Sequence, residues 1–201
     1  MRTSRLEAFS DGVLAIVITI MVLELKVPEG HDFSSLRHEA GSGLLTYLLS
    51  FVYIGIYWNN HHHMFQLTKS VTGGVLWANL GLLFCLSVVP FTTAWMDEQS
   101  FARIPVVAYG VNLVAAAAAY TLLQYSIVRG QGPESALRRA VGRDGKGKAS
   151  LLLYLAGIAA ALVFTDVGRW IGLGCFILVA AIWLIPDRRI ERTINELGVQ
   201  D

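Results

Sequence analysis

The sequence predicts an all-α, polytopic membrane protein with six transmembrane helices. Hydrophobic residues make up 54% of the 201 residues and charged residues only 15%, whereas soluble domains average roughly 45–50% apolar and about 25% charged residues. Six stretches of the chain approach the roughly 20 apolar residues that are needed to cross a bilayer. Arginine and lysine are also concentrated in alternate gaps between these stretches, as in membrane proteins with a fixed orientation.

The predicted spans form one six-helix domain that covers residues 1–201. The helices are expected at approximately 6–25, 43–67, 72–95, 104–128, 149–165 and 168–185. A glycine-rich polar segment at 129–148 predicts a flexible cytoplasmic loop, with one short helix at 134–141, and residues 186–201 form a charged tail. Pro90 predicts a kink in the third span, because proline removes a backbone hydrogen bond.

The distribution of basic residues predicts the orientation. With six spans both termini lie on one side, and that side carries twelve basic residues, namely Arg2, Arg5, Lys69, Arg129, Arg138, Arg139, Arg143, Lys146, Lys148, Arg188, Arg189 and Arg192. The opposite side carries four, namely Lys26, Arg37, Arg103 and Arg169. Short cytoplasmic loops are enriched in lysine and arginine, so both termini are predicted to be cytoplasmic.

Composition and motifs exclude several functional classes. The net charge of +1 provides no surplus of cations for the phosphates of a nucleic acid. The two cysteines, Cys85 and Cys175, lie in separate apolar runs and offer no metal or redox spacing. The spans contain neither a serine–histidine–aspartate arrangement nor an H-E-x-x-H helix. We therefore expect a protein that is not an enzyme and has no cofactor.

The first predicted helix is unusual because its uninterrupted apolar core is short. Gly12 to Leu23 would be about 18 Å long, against a hydrocarbon thickness of about 30 Å. Completing the span requires Ser10, Asp11 and Glu24. Acidic residues at membrane depth face protein or water rather than lipid, so this helix is expected to be central.

Helical spacing separates two faces of this helix. At about 100° per residue, Ile16, Ile20 and Leu23 fall on one line with Gly12, and Thr19 lies on its shoulder. Asp11 lies roughly 140° from Ile16. An apolar line of this kind is typical of ordinary packing, and spacing alone does not distinguish a packing face from a pore.

The cytoplasmic end of the second span supplies candidate partners for Asp11. It contains three consecutive histidines, His61, His62 and His63, at the level of Ser10 and Asp11. A hydrogen-bond network that ties the two helices is one interpretation, and proton sensing is another, since histidine titrates near neutral pH. A metal site is disfavoured because consecutive side chains on a helix point about 100° apart.

The start of the first helix resembles a known signature. Arg5, Phe9, Ser10 and Asp11 match the R-x-x-x-F-S-D motif of the transmembrane protein 175 family, the endolysosomal potassium channels and their prokaryotic relatives. Further similarity lies at 58–65, 77–80 and 90–92. The resemblance covers the first three helices by motif and the last three by number and length.

The resemblance implies a homotetramer in a prokaryotic inner membrane, with one six-helix unit per chain. The first helices of such channels line the pore and close it with rings of branched apolar side chains, which here are Ile16, Ile20 and Leu23. Thr19 is expected to contribute to selectivity. Arg5, Phe9, Ser10 and Asp11, with the three histidines, are expected to form a structural network that holds the pore helices.

The expected function is conduction of potassium, with modest selectivity over sodium, through a hydrophobic constriction. The sequence has no T-V-G-Y-G segment for a carbonyl filter, and an apolar ring offers few groups to replace the hydration of a monovalent cation. Two alternatives remain open. One is a proton-coupled secondary transporter that uses Asp11 and the histidines, and the other is a non-conducting membrane scaffold.

Overall fold

The computed structural model describes residues 3–132, 135–142, 144–164 and 166–185. Within these ranges the regular structure is helical, and the helices are α1 (Thr3–Met21), α2 (Phe33–Ser35), α3 (Gly41–Gln66), α4 (Gly73–Ser87), α5 (Val89–Glu98), α6 (Arg103–Gln131), α7 (Ala136–Val141), α8 (Gly145–Val163) and α9 (Gly168–Leu184). Arg2, Arg143, Thr165 and the tail at 186–201, all of which entered the sequence predictions, lie outside the described residues.

Five stretches of the described chain are long and apolar enough to cross a membrane. They are Thr3–Glu24, Gly41–Gln66, Gly73–Glu98, Arg103–Gln131 and Gly145–Val163. The sixth apolar helix, α9, has 17 residues, which corresponds to about 26 Å at 1.5 Å per residue. It is therefore slightly shorter than a bilayer core of about 30 Å.

The third span is divided into two helices. α4 ends at Ser87 and α5 begins at Val89, so the break lies just before Pro90. Pro90 stands in the first turn of α5, where a missing backbone N–H breaks no helical hydrogen bond. The third span is thus interrupted at the position where the sequence predicted a kink.

α6 is the helix around which the protomer is built. It contacts α4, α5, α8 and α9, and its buried residues Val106, Tyr109, Leu113 and Ala116 recur at helical spacing. α1 contacts α3, α4 and α5 on one face only. Among the described residues α1 is packed on one side only, so its predicted central position concerns an assembly of several chains and stays a prediction.

The polar segment after α6 contains more helix than its glycine content predicts. α6 extends to Gln131, and α8 already begins at Gly145, with the Asp144 side chain accepting a hydrogen bond from the Gly147 backbone N–H at 2.7 Å. Between them α7 is N-capped by Ser135, and its Leu137 is fully buried. An apolar side chain that packs into the core fixes this short helix against the bundle.

A polar turn precedes α3 on the side of the membrane opposite to the ends of α3 and α6. The Asp32 side chain accepts hydrogen bonds from the Ser35 backbone N–H and hydroxyl at 2.8 and 2.7 Å. These bonds lower the pKa of the Asp32 carboxyl from its ordinary value. The resulting cap starts the α2 turn.

α8 and α9 pack closely because small residues line their contact. A Cβ atom built on Gly172 would lie 2.9 Å from the backbone carbonyl oxygen of Gly157. Ala161, on the same face of α8, is fully buried. Small side chains let the two backbones approach, which is how helices in membranes gain packing energy.

Replacing Gly172 with alanine should therefore destabilise the protein by about 1–3 kcal/mol, because the added methyl group pushes on backbone. The measurement is thermal unfolding in detergent. Gly174→Ala is the matched control on the same helix: a Cβ there meets nothing within 4 Å. This control should leave the stability unchanged or raise it slightly. Equal loss of stability in both variants would contradict the packing argument.

Candidate pore helix and its polar anchor

α1 has one face buried in the protomer and one face exposed. Its buried residues recur every three or four positions, and they are Leu6, Ser10, Leu14, Val17 and Met21. This spacing places them on a single side of a regular helix. The side chains on the other side make few contacts within the chain, so the rotation of α1 about its axis is set by what its buried face contacts.

A chain of hydrogen bonds joins the buried face of α1 to α3 and α4. The Asn79 Nδ2 group donates to the Ser10 hydroxyl at 2.9 Å, and the Asn79 Oδ1 atom lies 2.8 Å from His61 Nε2. The Ser10 hydroxyl donates in turn to the Leu6 carbonyl at 2.8 Å. Ser10 and Asn79 are fully buried and His61 is 1% exposed, so these bonds are shielded from competing solvent.

Two further pairs connect α1 with α3 near the same level. Trp58 Nε1 donates to Asp11 Oδ1 at 3.0 Å. His62 Nδ1 lies 2.7 Å from Glu7 Oε1. Both pairs are partly accessible, and each gives a carboxylate of α1 a donor on α3.

We name these seven residues the polar anchor: Glu7, Ser10, Asp11, Trp58, His61, His62 and Asn79. The anchor contains four of the residues expected in the structural network, and three others that the sequence analysis did not assign to it, namely Glu7, Trp58 and Asn79. Asn79 could have been found from one signal, since it is a single amide within the apolar helix α4. A polar side chain in such a position needs a partner on another helix.

The other residues expected in the network lie elsewhere. Arg5 is exposed and forms no hydrogen bond or ion pair with the part of the chain that the structure describes. Phe9 is 51% exposed, and on a regular helix it falls in line with Ile16. His63 lies next to the His62 ring, with centroids 5.9 Å apart. Arg5 and Phe9 therefore belong to the exposed face of α1.

The histidines do not converge on one point. His61 turns toward Asn79 on α4, whereas His62 turns toward Glu7 on α1. Among the described residues, no group of three or more histidine, cysteine, aspartate or glutamate side chains is placed to hold a metal ion. The cluster is arranged to join helices.

Ile16, Thr19 and Ile20, which are predicted to line a pore, lie on the exposed face of α1, and Leu23 lies in the short 3-10 turn Val22–Glu24 that follows α1. We call Ile16, Ile20 and Leu23, with Gly12 and Thr19 beside them, the apolar stripe. Ile16 is 58%, Ile20 is 43% and Leu23 is 78% exposed. Branched side chains with this exposure contribute little packing within one protomer, so the stripe faces something outside the chain.

Thr19 presents an oxygen on this face. Its hydroxyl lies 2.9 Å from the Ala15 carbonyl oxygen and 3.0 Å from that of Ile16. The single hydroxyl proton is thus donated back into the helix. The lone pairs of Oγ1 remain available to a cation or a water molecule beside the stripe.

The stripe borders an open groove of about 580 Å³ between α1 and α5. Pro90, Phe91 and Trp95 form its opposite wall, and Glu24 and Glu98 lie at its outer end. Because the groove beside Ile16 and Ile20 is open, α1 packs against the described bundle through its buried face.

An all-helical bundle with five helical stretches that are long and apolar enough to cross a membrane defines a polytopic helical membrane protein. The family described as endosomal/lysosomal potassium channel TMEM175 matches residues 5–90. A protein named a potassium channel in Chryseobacterium sp. (strain P1-3) is 50% identical over 196 residues, which cover 98% of this chain and 100% of that protein. This chain belongs to the TMEM175 family.

Other relatives agree with this membership. The human endosomal/lysosomal proton channel TMEM175 is 35% identical over 115 residues, which are 50% of this chain and 22% of that protein. The crystal structure of a lysosomal potassium-selective channel TMEM175 homolog from Chamaesiphon minutus superposes with a TM-score of 0.75. It shares 27% identity over 92% of this chain and 97% of that chain. The fold is therefore the TMEM175 channel fold.

The polar anchor makes a prediction about stability. Asn79→Leu should destabilise the protein by about 1–2 kcal/mol, because it leaves the buried Ser10 and His61 side chains without their shared partner. Thermal unfolding in detergent measures the change.

The matched control is Asn112→Leu on α6. Asn112 is also buried, but its Nδ2 group has no hydrogen-bond partner among the described residues. Removing an unsatisfied amide of similar volume should leave stability unchanged or improve it. If Asn112→Leu is as harmful as Asn79→Leu, the loss at position 79 reflects packing rather than the hydrogen bonds of the anchor.

Proposed function

We propose that this chain forms a potassium-selective cation channel, with modest selectivity over sodium, in a prokaryotic inner membrane. The observation that carries the proposal is the apolar stripe, a line of exposed branched side chains on a helix whose other face is held by the polar anchor. The family membership supports ion conduction, and the relative from Chryseobacterium is named a potassium channel.

The pore is proposed to lie on the axis of a homotetramer. An α-helix with its side chains is about 10–12 Å across, so one helix cannot enclose a pore and several must surround an axis. In a tetramer four α1 helices would turn their stripes toward that axis. The four copies of Ile16 would then form one ring, and the copies of Ile20 and of Leu23 would form two more.

Such rings act as a gate and as a weak filter. A narrow apolar ring disfavours water, so it blocks ions when closed and conducts when it widens or when the ion sheds hydration. Potassium sheds its hydration water at a lower cost than sodium, and the Oγ1 atoms of Thr19 offer a small replacement for that water. An otherwise apolar path predicts modest selectivity and requires no cofactor.

The membrane arrangement is proposed to contain six spans, with both termini in the cytoplasm. Five spans follow from helix length, and α9 is the proposed sixth. Its 17 residues end near Trp183, and tryptophan is common at the membrane boundary. The basic residues at the ends of α3, α6 and α9 support a cytoplasmic location for that side.

A polar substitution in the apolar stripe tests whether the stripe lines an ion-conducting pore. Ile16→Asn should raise potassium flux into proteoliposomes about tenfold, equivalent to a barrier lower by about 1.4 kcal/mol, because an amide keeps the constriction wet. The ratio of potassium to sodium flux should fall at the same time. Wild-type and variant proteins are compared under potassium and then sodium gradients.

The matched control is Leu152→Asn on α8. Leu152 is 69% exposed, so it resembles Ile16 in size and exposure but is proposed to face lipid. Its flux and selectivity should equal those of the wild type. If Ile16→Asn and the wild type show the same potassium flux, the pore lies away from α1. No flux from any folded oligomer would favour the non-conducting scaffold.

The orientation is tested with two variants, each of which has one added cysteine. Gln99→Cys, between α5 and α6, should react with a membrane-impermeant maleimide in intact cells. Ser70→Cys, between α3 and α4, should react only after the cells are permeabilised. Both native residues are exposed, and the wild type, with Cys85 and Cys175 inside spans, provides the background. The reverse labelling pattern would overturn the proposed orientation.

A further inference from the structure

A second cavity lies among α3, α6, α8 and α9, and no residue of α1 lines it. Its volume is about 730 Å³. The wall combines aliphatic residues with tyrosines, among them Tyr57, Tyr120 and Tyr154, and Lys148 and Asp144 lie on the α8 side. The cavity is thus separate from the proposed pore, and it combines an apolar interior with charged groups.

The cavity extends along one half of the bundle. Its lining on α6 runs from Ala117 to Tyr125, a rise of about 12 Å. On α8 it runs from Gly147 to Tyr154, or about 10 Å. One leaflet of the hydrocarbon core is about 15 Å thick. In the proposed orientation these segments lie in the cytoplasmic leaflet, so the cavity crosses most of that leaflet.

The interior of the cavity contains an incompletely satisfied amide. Asn60 is 5% exposed, and its Nδ2 group donates to the Ile56 carbonyl at 2.8 Å. The Asn60 Oδ1 atom accepts no hydrogen bond from a described residue. Tyr120, which packs edge-on against Tyr57 with ring centroids 6.0 Å apart, donates to the Asn60 backbone carbonyl at 3.2 Å. A polar acceptor is therefore available within a largely apolar wall.

The described lining of the cavity contains one acidic and one basic side chain, Asp144 and Lys148, and these two differ in their partners. The Asp144 carboxylate accepts the Gly147 backbone N–H at 2.7 Å, so it is engaged by the start of α8. Lys146 donates to the Ile185 carbonyl at 2.8 Å and lies over the Trp183 ring. The Lys148 side chain is exposed and forms no ion pair or hydrogen bond with the described residues, whereas its backbone N–H donates to the Asp144 carbonyl at 3.4 Å. Lys148 is thus a cation available to a ligand.

We propose that this cavity binds an anionic glycerophospholipid of the cytoplasmic leaflet. The phosphate would pair with Lys148, and an acyl chain would lie along the tyrosine-rich wall of α3 and α6. A basic group at the cytoplasmic edge of an apolar site between spans is the chemistry that recognises anionic head groups. The assignment to this leaflet rests on the orientation given under the proposed function.

Native mass spectrometry of the detergent-purified protein tests whether the charge of Lys148 contributes to lipid binding. Phosphatidylglycerol and phosphatidylcholine with the same acyl chains are added separately, and the wild type should retain more phosphatidylglycerol. Lys148→Gln should weaken phosphatidylglycerol binding about fivefold, the effect of one basic group near a membrane surface, and leave phosphatidylcholine binding unchanged. Lys69→Gln, which removes an exposed cation outside the cavity, is the matched control and should change neither.

A substitution that fills the cavity tests whether an acyl chain binds there. Ala118 lines the cavity and is exposed, so Ala118→Trp should reduce retention of both lipids several-fold while the protein stays folded. Equal binding of the two lipids by the wild type, or unchanged retention by Ala118→Trp, would overturn the proposal. A changed subunit stoichiometry with unchanged lipid retention would show that a second copy of the chain covers the cavity, and would also overturn it.

Potassium flux is recorded for the same preparations. Wild-type protein that retains phosphatidylglycerol but conducts no ions would overturn the channel proposal and leave the lipid site standing. Wild-type protein that conducts potassium but retains both lipids equally would overturn the lipid site alone. The two proposals therefore fail through different measurements.

Discussion

The hydrogen bonds of Asn79 to Ser10 and His61 fix the arrangement of α1, α3 and α4. Hydrocarbon offers no competing donors or acceptors, so a polar side chain in a span that its own helix does not satisfy must find its partner on another helix. Asn79 satisfies one partner on α1 and one on α3 with a single side chain. Turning α1 by one residue, or about 100°, would move Ser10 out of reach. The rotation of α1, and thus the identity of its free face, follows from this amide.

Polar and apolar functions are separated along α1. The polar anchor occupies the first three turns, where Glu7, Ser10 and Asp11 meet α3 and α4. The apolar stripe begins beyond it and continues to Leu23. Beyond the polar anchor, α1 is held by apolar contacts of Leu14, Val17 and Met21 on its buried face, and the opposite face packs little against the described residues. The side chains of that opposite face are available for a function that requires a smooth surface.

The sequence was sufficient to predict the stripe but not its anchor. Ile16 and Ile20 follow from helical spacing alone, since spacing is local and a regular helix preserves it. Leu23 is exposed as well, although it lies in the 3-10 turn after α1. Asn79 lies 18 positions from His61 and 69 from Ser10, and only tertiary packing determines which polar groups meet. The same reason explains Leu137: the glycines around it predicted a flexible loop, whereas its burial depends on the bundle beneath it.

The predicted central position of α1 concerns the assembly and stays a prediction, because the protomer by itself packs against one side of α1. Acidic residues in a span require protein or water nearby, and Asp11 obtains this from the single contact with Trp58. One partner helix is sufficient, so enclosure of α1 by the same chain does not follow. The break in the third span, by contrast, could be predicted because proline acts on its own backbone.

Exposed apolar side chains do not by themselves identify a pore helix. Leu152 on α8 is as exposed as Ile16, and in a membrane protein such surface commonly faces lipid. The two helices differ in what holds their buried faces. α8 packs on α9 through glycine and alanine contacts, which suit a helix at the lipid boundary. α1 is held by a buried amide, a hydroxyl and two carboxylates, groups that lipid cannot satisfy. This difference is the reason for proposing that α1, rather than α8, lies in the interior of an assembly and that its stripe faces ions rather than lipid.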